Sequence, residues 1–217
     1  MGVLESLSLA MGTAWTAGIN LYATVAVLGM AGKFGMIDLP PELAVLTHPV
    51  VIVVASVLYL IEFFADKVPY VDNGWDAIHT FIRIPAGAVL AARAVGDVGP
   101  ALEIAALLAG GAVALAAHGT KATTRLALNA SPEPFTNWFA SIGEDLAVLG
   151  AIWLTFHHPI IMLVLVLLFI ALAAWLVPKI FQMAKAGFRL LRSHLTFDQR
   201  AQGGPGATPP ASAKPNP

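Results

Sequence analysis

The chain has 217 residues, of which 58% are hydrophobic and 12% charged, with a mean hydropathy of +0.77. A soluble domain carries roughly twice that share of charge, so a water-covered globule is excluded and lipid is the expected solvent. A net charge of −1 excludes the basic field of a nucleic-acid binder, and the absence of cysteine excludes disulfides, thiolate metal sites and a cysteine nucleophile.

The first nine residues carry Glu5 and no Lys or Arg, so they lack the basic start of a cleaved signal peptide. Residues 6–32, 43–61 and 159–177 then hold no charged side chain. A helix rises 1.5 Å per residue, so about 20 apolar residues cross a hydrocarbon core of ~30 Å. Three further segments are shorter or more polar. Between Arg83 and Arg93 lie only the uncharged residues 84–92. That stretch either spans with polar groups turned to protein or is a re-entrant hairpin lining a cavity, and the span is the preferred reading. The same choice applies to 119–142. The expected fold is all-α: a polytopic membrane bundle of about six helices near 8–30, 45–65, 78–96, 100–120, 139–156 and 159–178. These form one domain over 1–200.

Six spans place 67–80, 119–138 and 179–217 on one side, with Lys67, Lys121, Arg125, Lys179, Lys185, Arg189, Arg192, Arg200 and Lys214. The other side holds Lys33 and Arg93. The positive-inside rule puts that basic side, and with it both termini, in the cytoplasm. Residues 180–195 read as a basic interfacial helix, and 201–217, rich in Pro, Gly and Ala, as a disordered tail.

Two parts of the chain echo each other. Gly18-Ile19-Asn20-Leu21 and Gly143-Glu144-Asp145-Leu146 each precede an apolar run and then a His-Pro pair, His48-Pro49 and His158-Pro159, 110 residues apart. This reads as a parallel repeat of helices 1–2 in 5–6, with interrupted helices at Gly18 and Gly143. An inverted three-plus-three arrangement, or chance similarity between apolar segments, are the other accounts.

The polar residues are patterned. Glu62 and Asp66 are four apart, and Asp72, Asp76, His79 and Arg83 fall at 0, 4, 7 and 11, so each set shares a helix face. Asp72 or Asn73 is placed to cap a helix beginning near Trp75. His118, Lys121, Arg125 and Asn129 form a second, mainly cationic face at 0, 3, 7 and 11. Glu144 and Asp145 stand near the start of the fifth span. Asn20 is either interhelical glue or a local break that exposes backbone to a ligand. Lys67, Glu133 and Arg93 read as interfacial residues that meet headgroups, and His48, His157 and His158 as outer-surface residues.

Glu62-Phe-Phe-Ala-Asp66-Lys67-Val-Pro69, Trp75-Asp76-Ala-Ile-His79-Thr80-Phe-Ile-Arg83, Gly18-Ile19-Asn20-Leu21-Tyr22 and Thr120-Lys121-Ala-Thr-Thr-Arg125 also carry a resemblance. So do Ser131-Pro132-Glu133-Pro134-Phe135 and Asn137-Trp138. Over about residues 10–180 the chain resembles the bacterial membrane proteins grouped as domain of unknown function 4126. The resemblance implies an integral protein of a bacterial cytoplasmic (inner) membrane and assigns no activity.

Buried ionisable residues in a membrane mark pathways and proton relays. The preferred function is transport of a small anionic solute or lipid headgroup, held by Arg83, Lys121 and Arg125, with protons carried by Glu62, Asp66 and His79. Asn20, Asp72, Asp76, Asn129, Glu144 and Asp145 complete the expected pathway. No cofactor is expected. The alternatives are a metal-dependent enzyme acting on lipid headgroups through Asp66, Asp72, Asp76 and His79, or a non-catalytic scaffold subunit. Expected partners are the bilayer, the solute and further copies of the chain.

Overall fold

A computed structural model describes residues 2–68, 70–129, 134–176, 178, 179 and 182. The chain divides into a helical unit, Met1–Pro178, and a second unit, Lys179–Pro217. The expected interfacial helix 180–195 and tail 201–217, together with Glu133, lie outside the described residues.

Every regular element among the described residues is helical: α1 (Val3–Lys33), a 3-10 segment (Pro41–Thr47), α2 (Pro49–Ala65), α3 (Val71–Ala94), α4 (Pro100–Leu128), α5 (Pro134–His157) and α6 (Pro159–Leu176). Five of these seven helical elements begin on proline, whose fixed φ suits the first helical position and whose missing N–H goes unmissed there. α1, α4, α5 and α6 are long and apolar enough to cross a membrane, and the 3-10 segment with α2 makes a fifth if taken as one bent span. The bend is 66°. It falls at His48, whose Nδ1 caps α2 by accepting from Val50 N–H. The surface is apolar, with Val53, Val57, Phe64, Leu108, Leu167 and Leu168 half or more exposed, while Glu62, Arg83 and Arg125 are at 0%. That inversion of a soluble protein's pattern is compatible with a multi-pass membrane protein.

α3 is one unbroken helix, so the hairpin alternative for 75–96 does not hold. Its 24 residues are about 36 Å long, and it falls outside the apolar set because of Asp72, Asp76, Arg83 and Arg93. It also begins four residues earlier than expected. Tyr70, not Asp72 or Asn73, occupies the cap position, and the Asp72 carboxylate sits within the first turn, accepting from Asn73 N–H at 2.7 Å. α4 is likewise continuous through Leu128, so Lys121 and Arg125 stand on its last turns and not in a loop.

α1 has the expected length and apolarity, but its path is not straight. Asn20 takes extended backbone angles (φ −146°, ψ 96°) between two helical halves, 3–19 and 21–33. A straight helix of its 31 residues would separate its ends by about 46 Å. Instead Glu5, near its start, and Met36, Ile37 and Asp38, just beyond its end, line one cleft of about 390 Å³ together with His157 of α5. Ser6 shares a second cleft with Asp38, Glu42, Ala94 and Asp97. Both ends of α1 therefore lie at one end of the bundle, beside the C-termini of α3 and α5.

The intermediate contacts follow the same path. Ser8 Oγ donates to the Thr155 carbonyl, and Asn20 reaches Asp145, so the first half descends along α5. The second half climbs back, with Tyr22 beside His79 and Gly29 against Leu46 and Ile52. α1 is a re-entrant helical hairpin with its tip at Asn20. The tip is level with Asp145, 11 residues after Pro134 and 12 before His157 in α5.

Small residues make room for the hairpin. Gly18 packs on the Ala114 backbone and Ala117 of α4, Gly87 of α3 on Ala114 and Ala14, and Gly110 of α4 on Ala91. Such contacts let helix backbones approach closely in lipid. Of the α1 span, 67% is buried, against 17–28% for α4, α5 and α6. Non-helical backbone at membrane depth needs that shelter from lipid.

The expected second interruption, at Gly143, is absent, since α5 is helical through it with open space around. The two echoing motifs are nonetheless in contact. Asn20 and Asp145 hold equivalent places in them and hydrogen-bond to each other.

Candidate functional site: a buried ion network at the hairpin tip

The two polar faces foreseen on α3 and α4 face each other below the tip of α1, joined by the end of α2 and the start of α5. Arg83 lies at the centre. Its Nη2 donates to Glu62 Oε1 at 2.6 Å and its Nη1 to Asp76 Oδ1 at 2.9 Å. Nη1 also lies 3.1 Å from His118 Nδ1. Since a guanidinium only donates, Nδ1 accepts, and the proton of neutral His118 sits on Nε2 facing Thr80 Oγ1 at 2.7 Å. Thr80 passes its own proton to the Asp76 carbonyl. Similarly, His79 Nδ1 donates to the Trp75 carbonyl, leaving Nε2 to accept from the Tyr22 hydroxyl at 3.0 Å. Trp75 stacks on the His79 ring at 4.3 Å.

Lys121 ties the network to the hairpin. Its Nζ donates to Asp66 Oδ2 at 2.8 Å, to Glu62 Oε1 at 3.4 Å and to the Ile19 carbonyl at 3.2 Å. It also pairs with Glu144 Oε2 at 3.4 Å and Asp76 Oδ1 at 3.9 Å. Arg125 holds Glu144 in bidentate fashion, Nε to Oε1 at 3.2 Å and Nη2 to Oε2 at 2.8 Å. Its Nη1 donates to the Asp66 and Asn137 carbonyls.

A belt of two amides around Asp72 closes the end away from the tip. Asn129 Nδ2 donates to both oxygens of Asp72, at 2.9 and 3.1 Å, and Asn137 Nδ2 donates to Asn129 Oδ1 at 2.7 Å. Lys67 differs from its expected snorkelling role. Its ammonium sits over the Phe63 ring and donates to the Phe63 carbonyl and Ser141 Oγ, because α5 covers it. Burial pushes this ammonium below the ordinary lysine range, against the opposing pull of Asp145 and Asp66. Arg93, His48, His157 and His158 are exposed.

The set combines six carboxylates (Glu62, Asp66, Asp72, Asp76, Glu144 and Asp145) with four cations (Lys67, Arg83, Lys121 and Arg125). Burying unpaired charge is expensive, so an excess of two acids is a chemical signal. Consistent with it, Glu62 Oε2, Asp66 Oδ1, Asp76 Oδ2 and Asp145 Oδ2 are buried without a hydrogen-bond partner, as is Arg83 Nε. The acids proposed from sequence as metal ligands do not converge. Asp66 and Asp76 turn to Lys121 and Arg83, Asp72 to Asn129, and His79 to Tyr22. Among the described residues, no group of three or more His, Asp or Glu side chains is arranged to hold a metal ion.

Sequence reading left out Tyr22, Thr80, Asn137 and Ser141, and also Tyr59, whose hydroxyl faces Asp145. Single hydroxyls and amides in helices give no periodic signal, and only the fold shows which of them face the ions.

No curated protein and no solved structure matches the chain. A family model, described as a domain of unknown function, matches residues 7–179, which cover all but the first four residues of the hairpin and every member of the network. The chain belongs to the DUF4126 family.

Proposed function

We propose that this protein is a membrane transporter for a small anionic solute or the anionic headgroup of a lipid, with movement coupled to protons. The observation that carries this reading is the meeting of Lys121 with the Ile19 carbonyl, where a re-entrant helix ends against a buried ion network. Broken helices whose ends converge on buried charges at mid-membrane are the recurring construction of transporter sites. A bundle that needed only to fold would gain nothing from burying this many ions.

The three ion-paired bases are already held by carboxylates, so an anion binds by replacing one. Glu144 is the most accessible acid of that set, its side chain 19% exposed against 0–4% for its partners. Protonating Glu144 releases Arg125 and frees a contact of Lys121. Proton and anion then arrive together, and neither base is left unpaired.

In the same reading α2 to α6 make five crossings, α3 among them with its charges turned inward, and α1 enters and leaves on one side. The end of the bundle where α2 and α4 finish then carries Lys67, Lys121 and Arg125, and the other end Lys33 and Arg93. The positive-inside rule makes the first end cytoplasmic, in a bacterial inner membrane. The ends of α1 then lie outside, which replaces the six-span arrangement with both termini inside.

The test is current measurement on proteoliposomes given pulses of phosphate, acetate and succinate, beside translocation of fluorescent anionic and zwitterionic lipids. The first arm reports a free anion and the second a headgroup. One arm should respond in the natural protein and fall silent in Arg125→Ala. Silence of the natural protein in both arms contradicts transport, and full activity of Arg125→Ala contradicts the site.

A further inference from the structure

Asp145 stands apart from the other acids at the tip. Glu62, Asp66, Asp76 and Glu144 all pair with Arg83, Lys121 or Arg125, whereas Asp145 forms no ion pair among the described residues. Its Oδ1 accepts from Asn20 Nδ2 at 3.2 Å, the Tyr59 hydroxyl is a second donor beside the carboxylate, and Oδ2 is buried without a partner at hydrogen-bond distance. The groups facing it are Asn20 of α1, Tyr59 of α2, Asp66 and Lys67 after α2, and Lys121 of α4, with Glu144 beside it on α5. Asp145 also sits at the midpoint of its helix, and Lys67 and Lys121 face it from beyond ion-pair distance, so its ionised form is costly there. A proton on Oδ2 removes that charge and needs no cavity.

Asn20 links this acid to the backbone. Its Oδ1 accepts from Ala23 N–H and so caps the second half of α1, while its Nδ2 is spent on Asp145. The residue that makes the hairpin turn therefore reads the charge of Asp145 with the other end of its amide.

We infer that Asp145 is a proton-binding site whose occupancy is sensed by Asn20 at the hairpin tip. In the transport reading, on which its physiological role rests, this is the coupling proton, separate from the one exchanged at Glu144. An ionised Asp145 holds the Asn20 amide and keeps the tip closed on α5. Protonation weakens that bond and loosens the tip, leaving the Ala23 cap in place.

The proton site is tested without any solute, by infrared titration of the full chain in nanodiscs. Acidification should raise a protonated-carboxyl band that Asp145→Asn removes and Glu144→Gln retains. Asn20→Ala, which deletes one donor to the ionised form, should move the midpoint of that band to higher pH by about one unit. A band unchanged in Asp145→Asn, or a midpoint unmoved in Asn20→Ala, overturns the inference. Asp145→Asn must elute and melt as the natural protein does. If it misfolds, the Asn20→Ala midpoint alone decides. Silent transport assays combined with a confirmed band would refute the transport reading and leave the proton site standing.

Discussion

The Lys121 ammonium donates to the Ile19 carbonyl at 3.2 Å, the last carbonyl of the descending half of α1. A helix C-terminus carries a partial negative charge and unsatisfied carbonyls, and here it ends at mid-bundle with no water required. Lys121 answers both needs and is in turn held by Asp66 and Glu62. Hairpin and ion network thus stabilise each other, and neither is expected to persist alone.

Removing the central base should be the most damaging single change. Arg83→Ala leaves Glu62 and Asp76 buried without their guanidinium, a loss of about 3–5 kcal/mol by the precedent of broken buried pairs. Replacing the group together, Arg83→Met with Glu62→Gln and Asp76→Asn, should recover most of that stability but no activity. Thermal unfolding in one detergent, compared with transport in proteoliposomes, checks both halves of this expectation.

The glycines should separate by what they touch. A side chain at Gly110 meets Ala91 of α3, and one at Gly18 meets the α4 backbone, whereas Gly150 faces open space. Gly110→Leu and Gly18→Leu should each lower stability by about 1–3 kcal/mol or more, and Gly150→Leu should change it little. The same unfolding series reports all three.

Lys67 gives a pH signature. Burial lowers its folded-state value below the ordinary lysine value of 10.5, so between the two values the unfolded chain binds more protons than the folded one. Its contribution to stability therefore rises as pH climbs through that window toward 10.5 and is flat above it. Lys67→Met should remove this part of the alkaline slope, as measured by melting temperature against pH.

How far the sequence reached follows from periodicity. The α3 and α4 faces were legible because Asp72, Asp76, His79 and Arg83, and His118, Lys121, Arg125 and Asn129, repeat at helical spacing. Their full burial follows from the same pattern once both helices face inward. The reversal at Asn20 was not legible as a fold. A 27-residue uncharged stretch, 6–32, satisfies every length rule for a crossing, and only the partners at its two ends reveal that it returns. Gly18 reads as the breaker, yet it serves close packing against α4, and the break falls two residues later, where an amide can cap the next half-helix. Lys67 looked interfacial because sequence does not show that Ser141 and Phe63 enclose it.

The re-entrant course of α1 is the claim on which the site, the topology and the proton latch all depend. Because the chain contains no cysteine, single cysteines at Leu4, Met36 and Phe135, all well exposed, can be probed in sealed vesicles with a membrane-impermeant maleimide. The structure predicts that Leu4→Cys and Met36→Cys label from the same side and Phe135→Cys from the opposite one. Labelling of Leu4→Cys and Met36→Cys from opposite sides would show that α1 crosses the membrane and would contradict the account.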